Sequence, residues 1–468
     1  MNTKDRNKVF IDRDYLWSLI DRKAPNQNEI NDILNKALKL KGLNLEEVAT
    51  LLNVEDKQQI QQIMDVAHKV KEEIYGKRLV LFAPIYTGNV CCNNCTYCSF
   101  RKDNHLIKRK ILSMEEIEAE TSALLKQGHK RVLLICGENN KNGTEYMCEA
   151  IRRTYSVREN NGRDYIRRIN VELAPMEVED FRMLHQEKIG TYVCFQETYD
   201  SELYKRFHPA GTPKADYAYR LTVMDRAQEG GINDVGIGAL FGLGDYRFEV
   251  LGLMQHAKHL EDCYGCGPHT VSIPRLEPAI GAPDAENVPM PVKDEDFKKL
   301  VAIIRIALPY TGMILSTREN ATMRNELINY GISQISAGSK TNPGAYSEDE
   351  KGTGSQFELG DNREMEDVIN SFIDEGYIPS FCTGCYRKGR VGEDFMDLAK
   401  PGLIKQYCLP NAIFTFEEYL KDFASEQTQI KGRQLIKDML AEYDQKQLIS
   451  KIEENLNNID NGQRDIYF

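Results

Sequence analysis

Apolar positions recur at helical spacing through the first part of the chain and then change period. In "DKQQIQQIMDVAHKVKEEIYG", Ile60, Ile63, Met64, Ala67, Val70 and Ile74 share one face of a helix that Gly76 should stop. Upstream, "NLEEVATLLN" predicts another helix, because Asn44 is a good N-cap and Glu47 stands three places on, as in a capping box. Residues 1–77 therefore read as a helical region. Beyond them, short apolar runs alternate with amphipathic stretches. "RLVLFAP", "RVLLIC", "RRINVEL", "GTYVCFQE", "NDVGIGALFG", "HTVSIP", "TGMILST" and "GISQIS" read as strands. "SMEEIEAETSALLKQG", "DYAYRLTVMDRAQEGG" and "DEDFKKLVAIIRIAL" read as helices between them. Eight such strands predict an α/β fold with a parallel sheet closed into a (β/α)₈ barrel over residues 78–340; an open doubly wound sheet is the alternative. "AGSKTNPGAYSEDEKGTGSQF" predicts a long loop, a helix follows at about 363–376, and residues 341–468 form a C-terminal extension.

Composition changes this picture little. The chain has 468 residues, 28% of them charged, which is ordinary for a globular enzyme. A net charge of -11 argues against a general nucleic-acid or membrane-surface binder, since phosphate contacts need a basic face. No apolar run approaches the ~18 residues of a membrane span, and "MNTKDRNKVFIDRDYLW" has no apolar stretch of the kind a signal peptide needs. A cytoplasmic location is expected, and disulfides are rare there. The twelve cysteines are therefore read as metal or redox thiols.

Two groups of them have informative spacing. Cys91, Cys95 and Cys98 form C-x₃-C-x₂-C directly after the first strand, on the face where barrels carry their chemistry. Zinc wants four held ligands, and no fourth follows at finger spacing. Three thiolates suit a [4Fe–4S] cluster with one iron left open. Cys92 would break the spacing and is set aside. Cys382, Cys385 and Cys408 form C-x₂-C-x₂₂-C in the extension, where zinc and an iron–sulfur cluster remain equal alternatives.

The first motif, with Tyr97 just before its last cysteine, resembles the radical S-adenosylmethionine (SAM) superfamily. Among its aromatic amino-acid lyases the chain is similar to the HydG family of [FeFe]-hydrogenase maturases. "EEIYGKRLVLFAP", "GTYVCFQETY", "MDRAQEGGINDVGIGALFGLGDY", "GPHTVSIPRLEPA", "LPYTGMILSTRE", "GISQISAGS" and "LPNAIFTFEEYL" carry that similarity over nearly the whole length, as do both cysteine spacings. The resemblance implies a radical SAM barrel and two [4Fe–4S] clusters. The first binds SAM, and the second is auxiliary, with an extra iron. It also implies cleavage of tyrosine at Cα–Cβ to p-cresol and dehydroglycine, the latter becoming CO and cyanide for the hydrogenase. By the same resemblance, Gly137-Glu138 meets the amino group of SAM, Arg318 holds the tyrosine carboxylate, and His269 binds the extra iron. Expected partners are a flavodoxin- or ferredoxin-type reductant and the other hydrogenase maturases, with no nucleic acid and no membrane.

Read without the resemblance, Arg318 could instead pair with Glu319, and a lone His269 is more often structural. Cys263 and Cys266, in "EDCYGCGPH", stand where the family pattern has no cysteines; ordinary thiols or extra ligation near the second cluster are the two readings. The competing functions are a ThiH-like tyrosine lyase, which lacks the second cysteine set, and a non-catalytic iron–sulfur scaffold.

Overall fold

The computed structural model describes residues 8–348, 354–442 and 446–468, with only the backbone of residue 446 included. Eight parallel strands close on themselves: β1 (Arg78–Gly88), β2 (Arg131–Cys136), β3 (Arg168–Glu172), β4 (Thr191–Val193), β5 (Asp234–Gly238), β6 (Thr270–Ser272), β7 (Gly312–Leu315) and β8 (Gln334–Ser336). They follow chain order around the barrel, and β1 seals it by pairing with both β2 and β8. Helices surround the strands and bury the outward-facing residues of the sheet, such as Leu79, Leu81, Ala83 and Ile85 of β1. No helix among the described residues is long and apolar enough to cross a membrane.

The N-terminal region folds as its pattern predicts. Asn44 Oδ1 accepts the Glu47 backbone N–H and Glu47 returns the bond to the Asn44 N–H, both at 2.8 Å. The helix Lys57–Tyr75 ends at Gly76, which takes a positive φ of 61°. This helix packs on Asp294–Ala307, and Lys299 of the latter caps the neighbouring helix end by donating to the carbonyls of Leu52 and Val54.

Two elements depart from expectation. The helix expected over "DYAYRLTVMDRAQEGG" is broken into Tyr217–Leu221 and Val223–Glu229. The Thr222 hydroxyl donates to the Ala218 carbonyl at 2.8 Å, a local bond that competes with the helical ladder. The second departure is a ninth strand, β9 (Ile378–Ser380), which pairs with the first three residues of β1. Along one edge β1 therefore meets β9 over Arg78–Val80 and β2 from Ala83 onward. The extension is thereby joined to the base of the barrel.

Candidate functional site

The C-terminal mouth of the barrel holds the first cysteine motif. After Gly88 the chain loops through Cys91, Cys95 and Cys98, and Arg109 pins that loop. Its guanidinium donates to the carbonyls of Asn89, Phe100, Arg101 and Asn104 at 2.5–2.9 Å. The end of β2 presses against the same loop: Cys92 N–H donates to the Glu138 carbonyl at 2.7 Å. A Cβ on Gly137 would lie 2.5 Å from the Val90 oxygen, so this approach requires glycine. Asn93 then donates to Glu138 Oε2 at 2.6 Å, fixing the carboxylate beside the cysteines.

One cavity is lined by Cys91, Cys95, Cys98, Glu138 and Arg318, together with Glu172, Glu197, Lys214 and Arg220. Arg318 follows β7 and stacks on Phe357, 3.4 Å from the ring centroid. Glu319 turns away and is held by Arg275, so the pairing of Arg318 with Glu319 is not formed. Among the described residues Arg318 has no ion-pair partner, and burial lowers its basicity. That is the state of a guanidinium awaiting an anion. Tyr97 is buried, and its hydroxyl meets His208 Nε2 at 2.8 Å.

Sequence reasoning missed the charges opposite. Lys214 Nζ lies 2.6 Å from Glu197 Oε1, and Arg220 reaches the same oxygen at 3.6 Å. Burial would raise the Glu197 carboxyl, but these two cations outweigh it and hold it below the usual range. Glu197 also takes a φ of 71°, uncommon for any residue but glycine. Glu172, ending β3, is pushed up to about 7 by burial and by the charge of Glu197. Below the mouth, a cavity inside the barrel extends from Arg318 to Gln334, the first residue of β8.

The second cysteine set lies at the opposite, N-terminal mouth. Cys382 follows β9, Cys385 lies in the short helix Gly384–Arg387, and Cys408 in the first turn of Lys405–Asp422. The thiols face one another closely enough that Cys382 and Cys408 both raise Cys385, which burial in the first place pushes up to about 12. His269, just before β6, joins them through Tyr386: its Nε2 lies 3.1 Å from the Tyr386 hydroxyl. Its Nδ1 stands 3.5 Å from Asp234 without a hydrogen bond. Arg131 donates to the Cys382 carbonyl at 2.9 Å, and Arg168 lies over the Tyr386 ring. Arg78, Arg131 and Arg168 each bury a guanidinium nitrogen that has no partner among the described residues. A legible signal for these three existed, since each is the first residue of its strand.

Both triads fit iron–sulfur clusters better than single ions. Zinc held at about 2.3 Å needs its sulfurs almost in contact; among the described residues neither triad brings its three sulfurs within 4.8 Å of one another. Burial pushes Cys98 up to about 12 and raises Cys95 and Cys408, so thiolates here need bound cations to persist. A cubane on three thiolates is itself anionic, which suits the buried guanidiniums at the lower mouth, each with its Nε unpartnered among the described residues. Cys263 and Cys266 are not drawn into either triad: their thiols lie near His259 and Gln228 respectively, each at 3.8 Å.

Known proteins resemble this chain over most of its length. The family described as the radical SAM superfamily matches residues 85–257, and the biotin and thiamin synthesis associated domain matches 272–378. A 2-iminoacetate synthase of Salmonella typhimurium is 32% identical over 381 residues, 80% of this chain and 96% of that protein. A crystal structure of HydG, a maturase of the [FeFe]-hydrogenase, superposes with a TM-score of 0.94 at 46% identity, covering 98% of this chain and all of the other. The HydG of Carboxydothermus hydrogenoformans gives 0.83 at 39% identity, over 97% of this chain.

Proposed function

From the premise that this chain belongs to the radical SAM superfamily, in the branch of the HydG maturases and 2-iminoacetate synthases, we propose a two-ended tyrosine lyase. At its upper mouth it cleaves tyrosine to p-cresol and dehydroglycine. At its lower mouth it converts the latter to CO and cyanide for assembly of the [FeFe]-hydrogenase active site.

Each end has its own hardware. Cys91, Cys95 and Cys98 would hold a [4Fe–4S] cluster and leave one iron to SAM, whose amino group Glu138 receives. When bound, this pair would supply the radical chemistry for hydrogen abstraction from the substrate. Arg318 anchors the tyrosine carboxylate through a charge-assisted bond, and Phe357 keeps the guanidinium plane fixed. Lys214, Arg220 and Glu197 offer both signs of charge to two zwitterionic amino acids. Below, Cys382, Cys385 and Cys408 would hold a second [4Fe–4S] cluster, and His269 an extra iron beside it. The cavity from Arg318 to Gln334 gives a small fragment room inside the barrel beneath the upper site. The helical region 1–77, barrel 78–340 and extension 341–468 divide the chain accordingly. A flavodoxin- or ferredoxin-type protein supplies electrons, and other hydrogenase maturases receive the product.

The observation that carries this reading over a lyase alone is the second triad, set with His269 at the other end of the barrel. The test is to measure p-cresol and CO together. A Cys382→Ala, Cys385→Ala variant and a His269→Ala variant should each still make p-cresol and lose most CO. Wild-type protein that makes p-cresol but no CO would leave a tyrosine lyase of another pathway.

A further inference from the structure

Away from both mouths, one more set of metal-binding donors comes together. Asp225 lies on the helix Val223–Glu229, while His259 and Cys263 stand one turn apart on Tyr246–Tyr264. Their ligand atoms all lie within 4.8 Å of one another, a convergence no other such group reaches among the described residues. His259 Nε2 is 2.8 Å from Asp225 Oδ1, and Cys263 Sγ is 3.8 Å from His259 Nδ1. The Tyr264 hydroxyl also donates to Asp225 Oδ1, at 3.0 Å. The other carboxylate oxygen, Oδ2, is buried with no hydrogen-bond partner among the described residues. Phe10 lies flat on the imidazole, with centroids 3.8 Å apart and planes 7° apart, and so covers the group from the N-terminal side.

An Asp–His ion pair explains the 2.8 Å contact but leaves two things over: a thiol against a ring nitrogen and a buried oxygen without a donor. A cation held by one ring nitrogen, the thiol and the carboxylate, within the 4.8 Å that separates these atoms, gives the buried oxygen and the thiol a partner once the imidazole gives up one of its present contacts. One oxygen, one nitrogen and one sulfur make a mixed set that calcium and magnesium avoid and that zinc accepts when a water fills its fourth position. Tyr264 would then act behind the metal, orienting the carboxylate through Oδ1.

We propose that Asp225, His259 and Cys263 bind a zinc-class divalent cation that clasps two barrel helices beneath the segment carrying Phe10. The role is structural, and it stands apart from the lyase chemistry. Cys266, whose thiol turns to Gln228, lies outside the set.

The test uses protein reconstituted anaerobically with its clusters, incubated with zinc chloride and desalted before metal analysis. Wild type and Cys266→Ser should keep one zinc per chain more than Cys263→Ser and His259→Gln, with iron content and p-cresol formation equal in all four. In wild type, zinc should slow alkylation of Cys263 by iodoacetamide at least tenfold, read by peptide mass spectrometry. Equal zinc in all four proteins would overturn the proposal. So would alkylation of Cys263 that zinc does not slow, a reading that stands even if a variant fails to fold.

Discussion

The two mouths of the barrel, which share β3 with Arg168 at its start and Glu172 at its end, differ in their balance of charge. The upper mouth sets Glu138, Glu172 and Glu197 against Lys214, Arg220 and Arg318. The lower one sets Arg78, Arg131 and Arg168 against Asp234, with His269, whose basicity burial lowers. A balanced end suits ligands that carry both an ammonium and a carboxylate. A cationic end suits an anionic cluster and small anionic products. On the proposed reading, the two ends of one barrel serve successive steps, each in surroundings of different charge.

The sharpest way to break this comparison is to remove the thiols of one end. Replacing Cys91, Cys95 and Cys98 together by alanine should abolish SAM cleavage and p-cresol while leaving about half the iron, since each triad ligates its own cluster. Loss of all the iron, measured against protein concentration, would show that the ends are not independent.

A smaller effect is expected from Arg318→Ala. A hydrogen bond to a charged group contributes about 1.5–3 kcal/mol, so KM for tyrosine should rise roughly ten- to a hundredfold. SAM affinity should change little, as equilibrium binding in the absence of tyrosine would reveal. An equal loss for both ligands would assign Arg318 to the pocket in general.

The mildest effect concerns Glu172. Its carboxyl is raised by burial and by Glu197 to about 7 in the folded chain, above the ordinary 4.5. Between those values the folded protein holds a proton that the unfolded chain has released, so stability should fall as pH rises through the window. Glu172→Gln cannot lose that proton. Its melting temperature should fall less between pH 5.5 and 7.5 than that of the wild type, by a few degrees, and parallel curves would refute the assignment.

Much of the fold was legible because most of it is periodic. Ile60 to Ile74 announced one helix, and the Asn44–Glu47 box the start of the helix before it. β9 was not, because three residues carry no period and Pro379 argues locally against a strand; only the free edge of β1 makes it one. The site divides in the same way. The cysteines are visible because spacing within one loop is a sequence property. Glu172, Glu197, Lys214 and Arg220 come singly from separate segments, and barrel closure alone brings them together.

The shared edge of β1 also sets an order in time. β8 completes the barrel at Ser336, but the base of β1 waits for β9 at Ser380, and Cys408 lies further on. At ribosomal speeds of about 5–20 residues per second, that interval lasts on the order of seconds. Every residue that lines the upper mouth, Phe357 the last of them, is therefore synthesised before β9 and the second set of thiols. Because Arg78–Val80 is the seam onto which the extension docks, the nascent barrel stays unfinished at its base until the second set of thiols arrives.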